Sequence, residues 1–282
     1  ISTTAGQMAR GLGLAFASKR YRQDPQLANT SFSKNGNEVC FCNIGDASTS
    51  EGCFWEAVNA AGVTQVPLAI TVVDDGYGIS VSKKYQTTKE SISAVLEGFR
   101  ESEELEGIAI YHVKGWDYAQ LCETYVKGIE KIRKTHTPAL FHVDELTQPQ
   151  GHSTSGSHER YKSKERLQWE RDYDCNRQFK LWIIANDIAS EEELKKIEAK
   201  AREAVKEAKN RAWAAFNNPL QEQWKSLKAT FKQLAAEFPQ ERIQDLTKEF
   251  NGLLNPVLSE MTRIARRALF ILRSEDSDTI HT

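Results

Sequence analysis

Up to about Leu181, apolar and polar positions fall into two alternating patterns. Short apolar runs at 38–44 (EVCFCNI), 67–73 (PLAITVV), 108–113 (IAIYHV) and 139–143 (ALFHV) are rich in β-branched and aromatic side chains and nearly apolar on both faces. That pattern predicts strands of a parallel sheet covered on each side. Between them, amphipathic stretches predict helices over 5–22, 51–62 and 118–134; in the last, Leu121, Tyr125, Ile129 and Ile132 recur at helical spacing. Strand alternating with helix reads as an α/β domain over residues 1–185. Its parallel sheet is flanked by helices, with ligands at the carboxyl ends of the strands.

From about Ser190 the strand signals stop, and a C-terminal helical extension is expected over 186–273. Ser190 before Glu191, Glu192 and Glu193 is a helix start, a capping hydroxyl followed by acids in the first turn. Later, Leu220, Trp224, Leu227, Phe231, Leu234 and Phe238 step by 4, 3, 4, 3 and 4 residues. This is the seam of a helix that packs on another, and Pro239 ends it. A further helix is expected from near Glu241, carrying Ile243, Leu246, Phe250, Leu253, Val257, Met261, Ile264 and Ala268, with a kink at Pro256. A hairpin packed on itself or on the α/β domain is the simpler reading, and a docking arm to a partner domain is the alternative. Residues 274–282 are polar and read as a disordered tail.

Composition narrows the functional classes. The chain has 282 residues, 40% hydrophobic and 27% charged, with a formal net charge of −2. It is long enough to bury a full core without disulfide staples. Near-neutral charge argues against nucleic acid as a partner. The longest apolar run, about eight residues at 66–73, is far short of the roughly 20 that span a bilayer, so no membrane partner is expected either. Cys40, Cys42, Cys53, Cys122 and Cys175 form no C-x-x-C pair. They read as reduced, buried thiols in a cytoplasmic setting. The chain opens Ile1-Ser2-Thr3-Thr4, without methionine or a targeting segment, and is expected to be a piece of a longer polypeptide.

The chemistry concentrates between Gly45 and Ser80. An apolar strand ends at Ile44 and meets a turn of small residues, Gly45-Asp46-Ala47-Ser48-Thr49-Ser50, ahead of a helix near Glu51. Small residues let a backbone approach a phosphate closely, and free N–H groups at a helix start favour an anion. The second strand delivers Asp74-Asp75-Gly76-Tyr77 to the same sheet edge. If these strands are neighbours, Asp46 and Asp75 converge. Two carboxylates with a backbone carbonyl hold Mg2+ while leaving places for phosphates. Each motif alone reads as a turn; the pair, with the right elements between, is the specific signal. A nucleophile elbow, a phosphate-binding G-x-x-x-x-G-K and a dinucleotide G-x-G-x-x-G are all absent from the sequence. His112 and His142 sit within strands and read as core residues. His136, His158 and His281 lack metal-ligand spacing, whereas His152 lies in a loop beside Gly151 and small hydroxyl residues, where it can titrate and move.

This stretch resembles the thiamine diphosphate motif, which begins G-D-G and ends N-N further along. More closely, it is similar to the alpha chain of the decarboxylating dehydrogenase component of 2-oxo acid dehydrogenase complexes, of the branched-chain 2-oxo acid and pyruvate dehydrogenase type. That family's S-E-G-x-F-x-E-A-x-N-x-A stands here as Ser50-Glu51-Gly52-Cys53-Phe54-Trp55-Glu56-Ala57-Val58-Asn59-Ala60-Ala61. Its N-N-x-Y-x-I-S stands as Asp74-Asp75-Gly76-Tyr77-Gly78-Ile79-Ser80. Gly151-His152-Ser153-Thr154-Ser155, followed by Tyr161, is similar to the family's active-site loop, and the opening from Ser2 to Gly13, with Gln7, resembles its S-x-L-A-T-Q helix start. The resemblance runs from Ile1 to about Leu181.

The resemblance implies the diphosphate-binding module of a thiamine diphosphate-binding fold, with Mg2+ held by Asp46, Asp75 and the Tyr77 carbonyl. It implies Gly45, Ala47 and Ser48 along the diphosphate, Ser2 and Thr4 as further cofactor-binding positions, and Ile79 packed near the cofactor. His152 matches the catalytic loop histidine that positions cofactor and substrate and assists acyl transfer. Ser153 matches a serine phosphorylated in mitochondrial relatives. The implied activity is decarboxylation of a small 2-oxo acid, 2-oxoisovalerate or pyruvate, and transfer of the acyl group to lipoamide. The implied partners are a beta chain or fused beta domain that supplies the activating glutamate, in a heterotetramer or homodimer, and a lipoyl-bearing acyltransferase component. By the same resemblance, a diphosphate-binding tyrosine and arginine belong upstream of Ile1, the long C-terminal helices suggest an alpha–beta fusion, and the chain alone should be inactive. A transketolase-like or acetoin-cleaving enzyme and a non-catalytic assembly subunit stay open.

Two departures bear on the site. Ala47 replaces the second glycine of G-D-G, and Asp74-Asp75 replaces N-N. A second carboxylate makes a site shared with a diphosphate more negative; like charges about 4 Å apart cost roughly 4 kcal/mol at an effective dielectric of 20. We expect Asp75→Asn to preserve or improve cofactor affinity in a binding titration, and complete loss of binding would overturn Asp75 as a ligand.

Overall fold

A computed structural model of the chain describes residues 3–27, 30–152 and 157–281. Its strands are β1 (Cys40–Gly45), β2 (Leu68–Val73), a short hairpin of β3 (Tyr77–Gly78) and β4 (Val81–Ser82), then β5 (Ala109–Lys114) and β6 (Ala139–Asp144). Four of them form one parallel sheet in the order β1-β2-β6-β5. The helices beside it are α1 (Gln7–Gln23), α2 (Gly52–Thr64), the short α3 (Ile92–Val95), α4 (Tyr118–Thr135), α5 (Lys164–Asp172) and α6 (Cys175–Ala185). The units β1-α2-β2 and β5-α4-β6 each join adjacent parallel strands, and they meet where β2 pairs with β6. The α/β architecture expected from the alternating pattern is therefore present.

Side chains alternate across the sheet. Leu68, Ile70 and Val72 face a core with Met8 of α1 and Phe54 and Val58 of α2. Ala69 of β2 and Phe141 of β6 face a second core with Ile132 of α4. The Phe141 ring is fully buried and stacks on Tyr111 at 5.0 Å and on Tyr125 at 4.4 Å between centroids. Only the central strands are covered on both faces. On the edge strand β1, Phe41 is 56% exposed. On the other edge, His112 of β5 is exposed too, contrary to its reading as a core residue, and its Nε2 pairs with Asp144 Oδ2 at 2.7 Å at the end of β6. Of the cysteines, all free thiols, only Cys42 is buried and Cys122 is exposed, which corrects the expectation of five buried thiols.

Two compact units divide the chain at residues 1–190 and 191–282. The second is wholly helical: α7 (Glu191–Glu237), α8 (Glu241–Asn251), α9 (Leu258–Ile271) and the short α10 (Asp278–His281). The acidic helix start and the later seam belong to one helix of 47 residues that carries Pro219 inside it. Phe231 and Leu234 of that seam pack on Ile243, Leu246 and Phe250 of α8 and on Met261 and Ile264 of α9, so this unit has a core of its own. Instead of a kink at Pro256 there is a break between α8 and α9, where Asn255 adopts a φ of 54°. Proline disfavours helical geometry in the residue before it and removes a donor. The polar tail carries the turn of α10, and Ile280 packs on the helical core. Among the described residues no helix is long and apolar enough to cross a membrane.

Gly128 of α4 lies against the stacked aromatics. A Cβ there would sit 2.6 Å from Cε1 and Cζ of Phe141 and 3.1 Å from Cε2 of Tyr111. Helix propensity favours Ala over Gly by about 1 kcal/mol, but overpacking a filled core costs about 1–3 kcal/mol. The clash wins because the Phe141 ring is held from both sides. Gly128→Ala should lower the thermal unfolding midpoint by about 2–4 °C, whereas a raised midpoint would mean that the aromatic stack yields.

Candidate functional site

Parallel pairing brings the two acidic turns together. Gly45 is in register with Val73, and the Asp46 N–H donates to the Val73 carbonyl at 3.1 Å. The chain then makes a tight helical turn at Ala47–Ser50 before α2, and the Glu51 side chain does not cap the first N–H groups of that helix. On the other side, Asp74 is tied to β6 by its N–H, which donates to Val143 O at 2.9 Å. A cavity of about 550 Å3 opens at this edge. Gly45 at the end of β1 and Asp46, Ala47 and Ser48 in the turn after it line the cavity, with Asp75, Tyr77 and Ile79 from the segment after β2, and Thr4 and His152 from outside the sheet. Ser2 and Ser153 lie outside the described residues. A comparable cavity of about 600 Å3 at the opposite edge, near Lys19, Glu101 and His136, contains none of the motif residues.

The three aspartates are in different electrostatic states. Asp74 is buried with both carboxylate oxygens satisfied: Oδ1 accepts from the Gly76 N–H at 2.8 Å, and Oδ2 accepts from Lys83 Nζ at 2.8 Å and pairs with His142 Nε2 at 3.0 Å. Burial opposes its ionisation, but the His142 and Lys83 hydrogen bonds prevail and hold its carboxyl below the ordinary range. Asp46 is also buried, and its Oδ2 has no hydrogen-bond partner. Burial, reinforced by Asp74 and Asp75, pushes its carboxyl up to about 7. Asp75 is raised as well, by burial first, against the Tyr77 N–H that donates to its Oδ1 at 3.2 Å.

That arrangement fits a hard cation. A buried carboxylate oxygen with no donor is destabilising until a cation satisfies it. Among the described residues no group of three or more His, Cys, Asp or Glu is placed to hold a metal. A cation here would therefore rest on two carboxylates, main-chain oxygen and the oxygens of its ligand, the donor set suited to Mg2+. Glycine relieves the turn at Gly76, where φ is +85°. Ile79 has no such freedom, yet it takes a φ of 59° at the first position of the two-residue turn between β3 and β4. A β-branched residue there is strained by about 1–3 kcal/mol, and such strain gathers at functional sites.

Several site residues escaped the sequence reading. Leu146, Thr147 and Gln148, which follow β6, line the cavity, and only their place between a strand end and Gly151-His152 hints at it. Lys83, His142 and Arg166 support the acidic turn without belonging to its motif. His142, expected in the core, is 1% exposed, hydrogen-bonds Ser93 Oγ at 2.8 Å and stacks on His112. His152 is exposed, and the Tyr161 hydroxyl hydrogen-bonds its backbone.

A family model described as the dehydrogenase E1 component matches residues 1–220, beyond Leu181 and into α7. The pyruvate dehydrogenase E1 component subunit alpha of Rickettsia bellii (strain RML369-C) is 28% identical over 203 residues, 72% of this chain and 55% of the relative. The chloroplastic alpha-3 subunit of the pyruvate dehydrogenase E1 component from Oryza sativa subsp. japonica is 29% identical over 196 residues, covering 70% and 43%. The mitochondrial 2-oxoisovalerate dehydrogenase subunit alpha 1 of Arabidopsis thaliana is 28% identical over 207 residues, covering 71% and 42%. The chain thus spans about half the length of the curated relatives it matches.

The Asp46 carboxyl gives the ligand-free protein a pH signature. Its value in the fold, about 7, lies above the roughly 3.9 of an unfolded chain, so its ionisation opposes folding. That penalty is absent below about pH 4, grows as pH rises, and is complete above about pH 7. Asp46→Asn should therefore melt several degrees above the parent at pH 8 without metal and at the same temperature near pH 4. Equal melting at both pH values would mean that Oδ2 has a partner after all.

Proposed function

The chain belongs to the dehydrogenase E1 component family, as an alpha component, and from that premise we propose that it anchors thiamine diphosphate through Mg2+ for oxidative decarboxylation of a 2-oxo acid. The observation that carries this reading is the unpartnered Oδ2 of buried Asp46, close enough to Asp75 for each charge to be felt, on the edge where small residues precede a helix start. Asp46, Asp75 and the Tyr77 carbonyl hold the cation. Backbone at Gly45, Ala47 and Ser48 takes the diphosphate oxygens, with Thr4 beside them and Ser2 assigned by resemblance alone. Ile79 presents an apolar side chain to the cavity, and its strained backbone keeps it there.

When bound, thiamine diphosphate supplies the nucleophilic carbon and the electron sink for loss of CO2. This chain's part is to orient, to exclude water and to move protons at the edge of the cavity. His152, exposed in its loop, orients substrate and assists acyl transfer. The substrate is pyruvate or 2-oxoisovalerate, the two 2-oxo acids named in the relatives' descriptions. A beta chain or fused beta domain supplies the activating glutamate, and a lipoyl-bearing acyltransferase component receives the acyl group, in the cytoplasm. An assembly-only role is less well supported. A retired site would have no reason to keep Asp46 buried and unpartnered while Lys83 and His142 neutralise only Asp74.

Calorimetric titration of thiamine diphosphate with Mg2+ into the chain combined with its beta partner tests this, beside Asp46→Ala. Binding by the parent that disappears in Asp46→Ala is the expected result. No binding by either protein would favour the assembly role, and equal binding by both would overturn the metal assignment.

A further inference from the structure

We propose that Arg166 is a positioning residue that sets the main chain of the 75–77 turn for its ligands, a role that rests on reading this edge as a thiamine diphosphate–Mg2+ site. Arg166 stands in the first turn of α5, where its N–H donates to the capping Ser163 hydroxyl at 3.1 Å. Its guanidinium points back to the sheet edge. Nη2 donates to the Asp75 carbonyl at 2.8 Å and lies 3.5 Å from the Leu146 carbonyl, while Nε donates to Glu170 Oε1 at 2.9 Å. Its flat face lies over the Tyr77 ring, 5.6 Å from the centroid, and over Trp169 at 4.6 Å. One planar group therefore grips both the peptide after Asp75 and the ring of Tyr77. The Asp75 carboxylate and the Tyr77 carbonyl flank that peptide, so fixing it fixes their separation.

The guanidinium is itself held from behind. Glu170 is 6% exposed and also pairs with Lys162 Nζ at 2.8 Å. Lys162, likewise 6% exposed, sits over the Tyr77 and Tyr161 rings. Two cations and one carboxylate leave one net positive charge beside Asp75. That offsets the one negative charge an aspartate adds where the motif would carry asparagine. A buried charge cluster is a poor brace if packing alone is wanted, since apolar residues do that as well or better. Directed donors to a carbonyl suit orientation instead.

The test measures thiamine diphosphate affinity with Mg2+ by calorimetry, in the presence of the beta partner, for the parent, Arg166→Lys and Arg166→Gln. The melting temperature of each metal-free protein is measured alongside. Loss of one directed hydrogen bond predicts about tenfold weaker binding for Arg166→Gln. Arg166→Lys, which keeps the charge and one donor, should lie between, at about threefold, with melting temperatures within about 2 °C of the parent. Parent-like affinity in Arg166→Gln overturns the proposal, as does a lowered melting temperature with unchanged affinity. If Arg166→Gln does not fold, Arg166→Lys decides by the same criterion: threefold weakening supports the role and parent-like affinity overturns it. Failure of the parent itself to bind would overturn the reading of the site and this role with it, whereas binding by all three proteins alike overturns the positioning role alone.

Discussion

Parallel pairing of β2 with β1 on one side and β6 on the other sends three strand ends to one edge, and the chemistry of the first unit follows from what stands there. Asp46, Asp74 and Asp75 arrive together because Gly45 is in register with Val73 and Val73 with Val143. Three carboxylates in so small a space repel by several kcal/mol if all are ionised and unscreened. The fold meets this by treating them differently. Asp74 receives a lysine, a histidine and a backbone N–H, while Asp75 has a backbone N–H and the field of Lys162 and Arg166. Asp46 keeps one oxygen with no donor at all.

That unequal treatment separates structure from function within one acidic cluster. Asp74 is a strut: its side chain closes the turn onto Gly76, and its backbone joins β6 through Val143 and the following loop through Leu146. It is too fully satisfied to offer much to a ligand. Asp46 is the opposite case, with a buried, unpartnered acceptor whose ionisation opposes folding. Ile79 adds strain of the same kind in the backbone. Both unfavourable features face one cavity, and the surrounding sheet, buried on both faces at β2 and β6, is what keeps them from relaxing.

The elements were legible because their signals are local. Continuous apolar runs located all four strands of the parallel sheet, and helical spacing located α1, α2 and α4 to within a few residues. Strand order is not local, so the convergence of Asp46 and Asp75 had to be assumed in the sequence and became an observation only in the sheet. Which strands lie at the edges is equally hidden, so the pattern alone puts His112 in the core. The supports of the acidic turn were illegible for the same reason: His142 lies 68 positions from Asp74, and Arg166 lies 91 from Asp75. A lysine or arginine on an amphipathic helix looks like a solvated charge until the fold shows what it reaches. In the second unit, the seam of α7 announces a partner helix, but nothing local shows that it is continuous with the acidic start at Glu191 across Pro219.

Asp74-Asp75 in place of a pair of asparagines is best understood as one part of a larger exchange of charge. An asparagine at 74 could accept from Lys83 and His142 but would leave a half-buried ammonium without a counter-charge, the costlier arrangement. The aspartate and the lysine are therefore a matched pair, closed by a 2.8 Å contact. At 75 the match is looser, because Arg166 is hydrogen-bonded to the carbonyl and not to the carboxylate. Its charge is felt through space, and among the described residues no side-chain donor reaches either carboxylate oxygen. A direct Arg166–Asp75 salt bridge would have neutralised the extra charge more completely and would have engaged the carboxylate oxygens. Balancing the charge from behind the peptide, through a guanidinium anchored on Glu170, keeps the edge near neutrality and leaves the carboxylate facing the cavity able to bind.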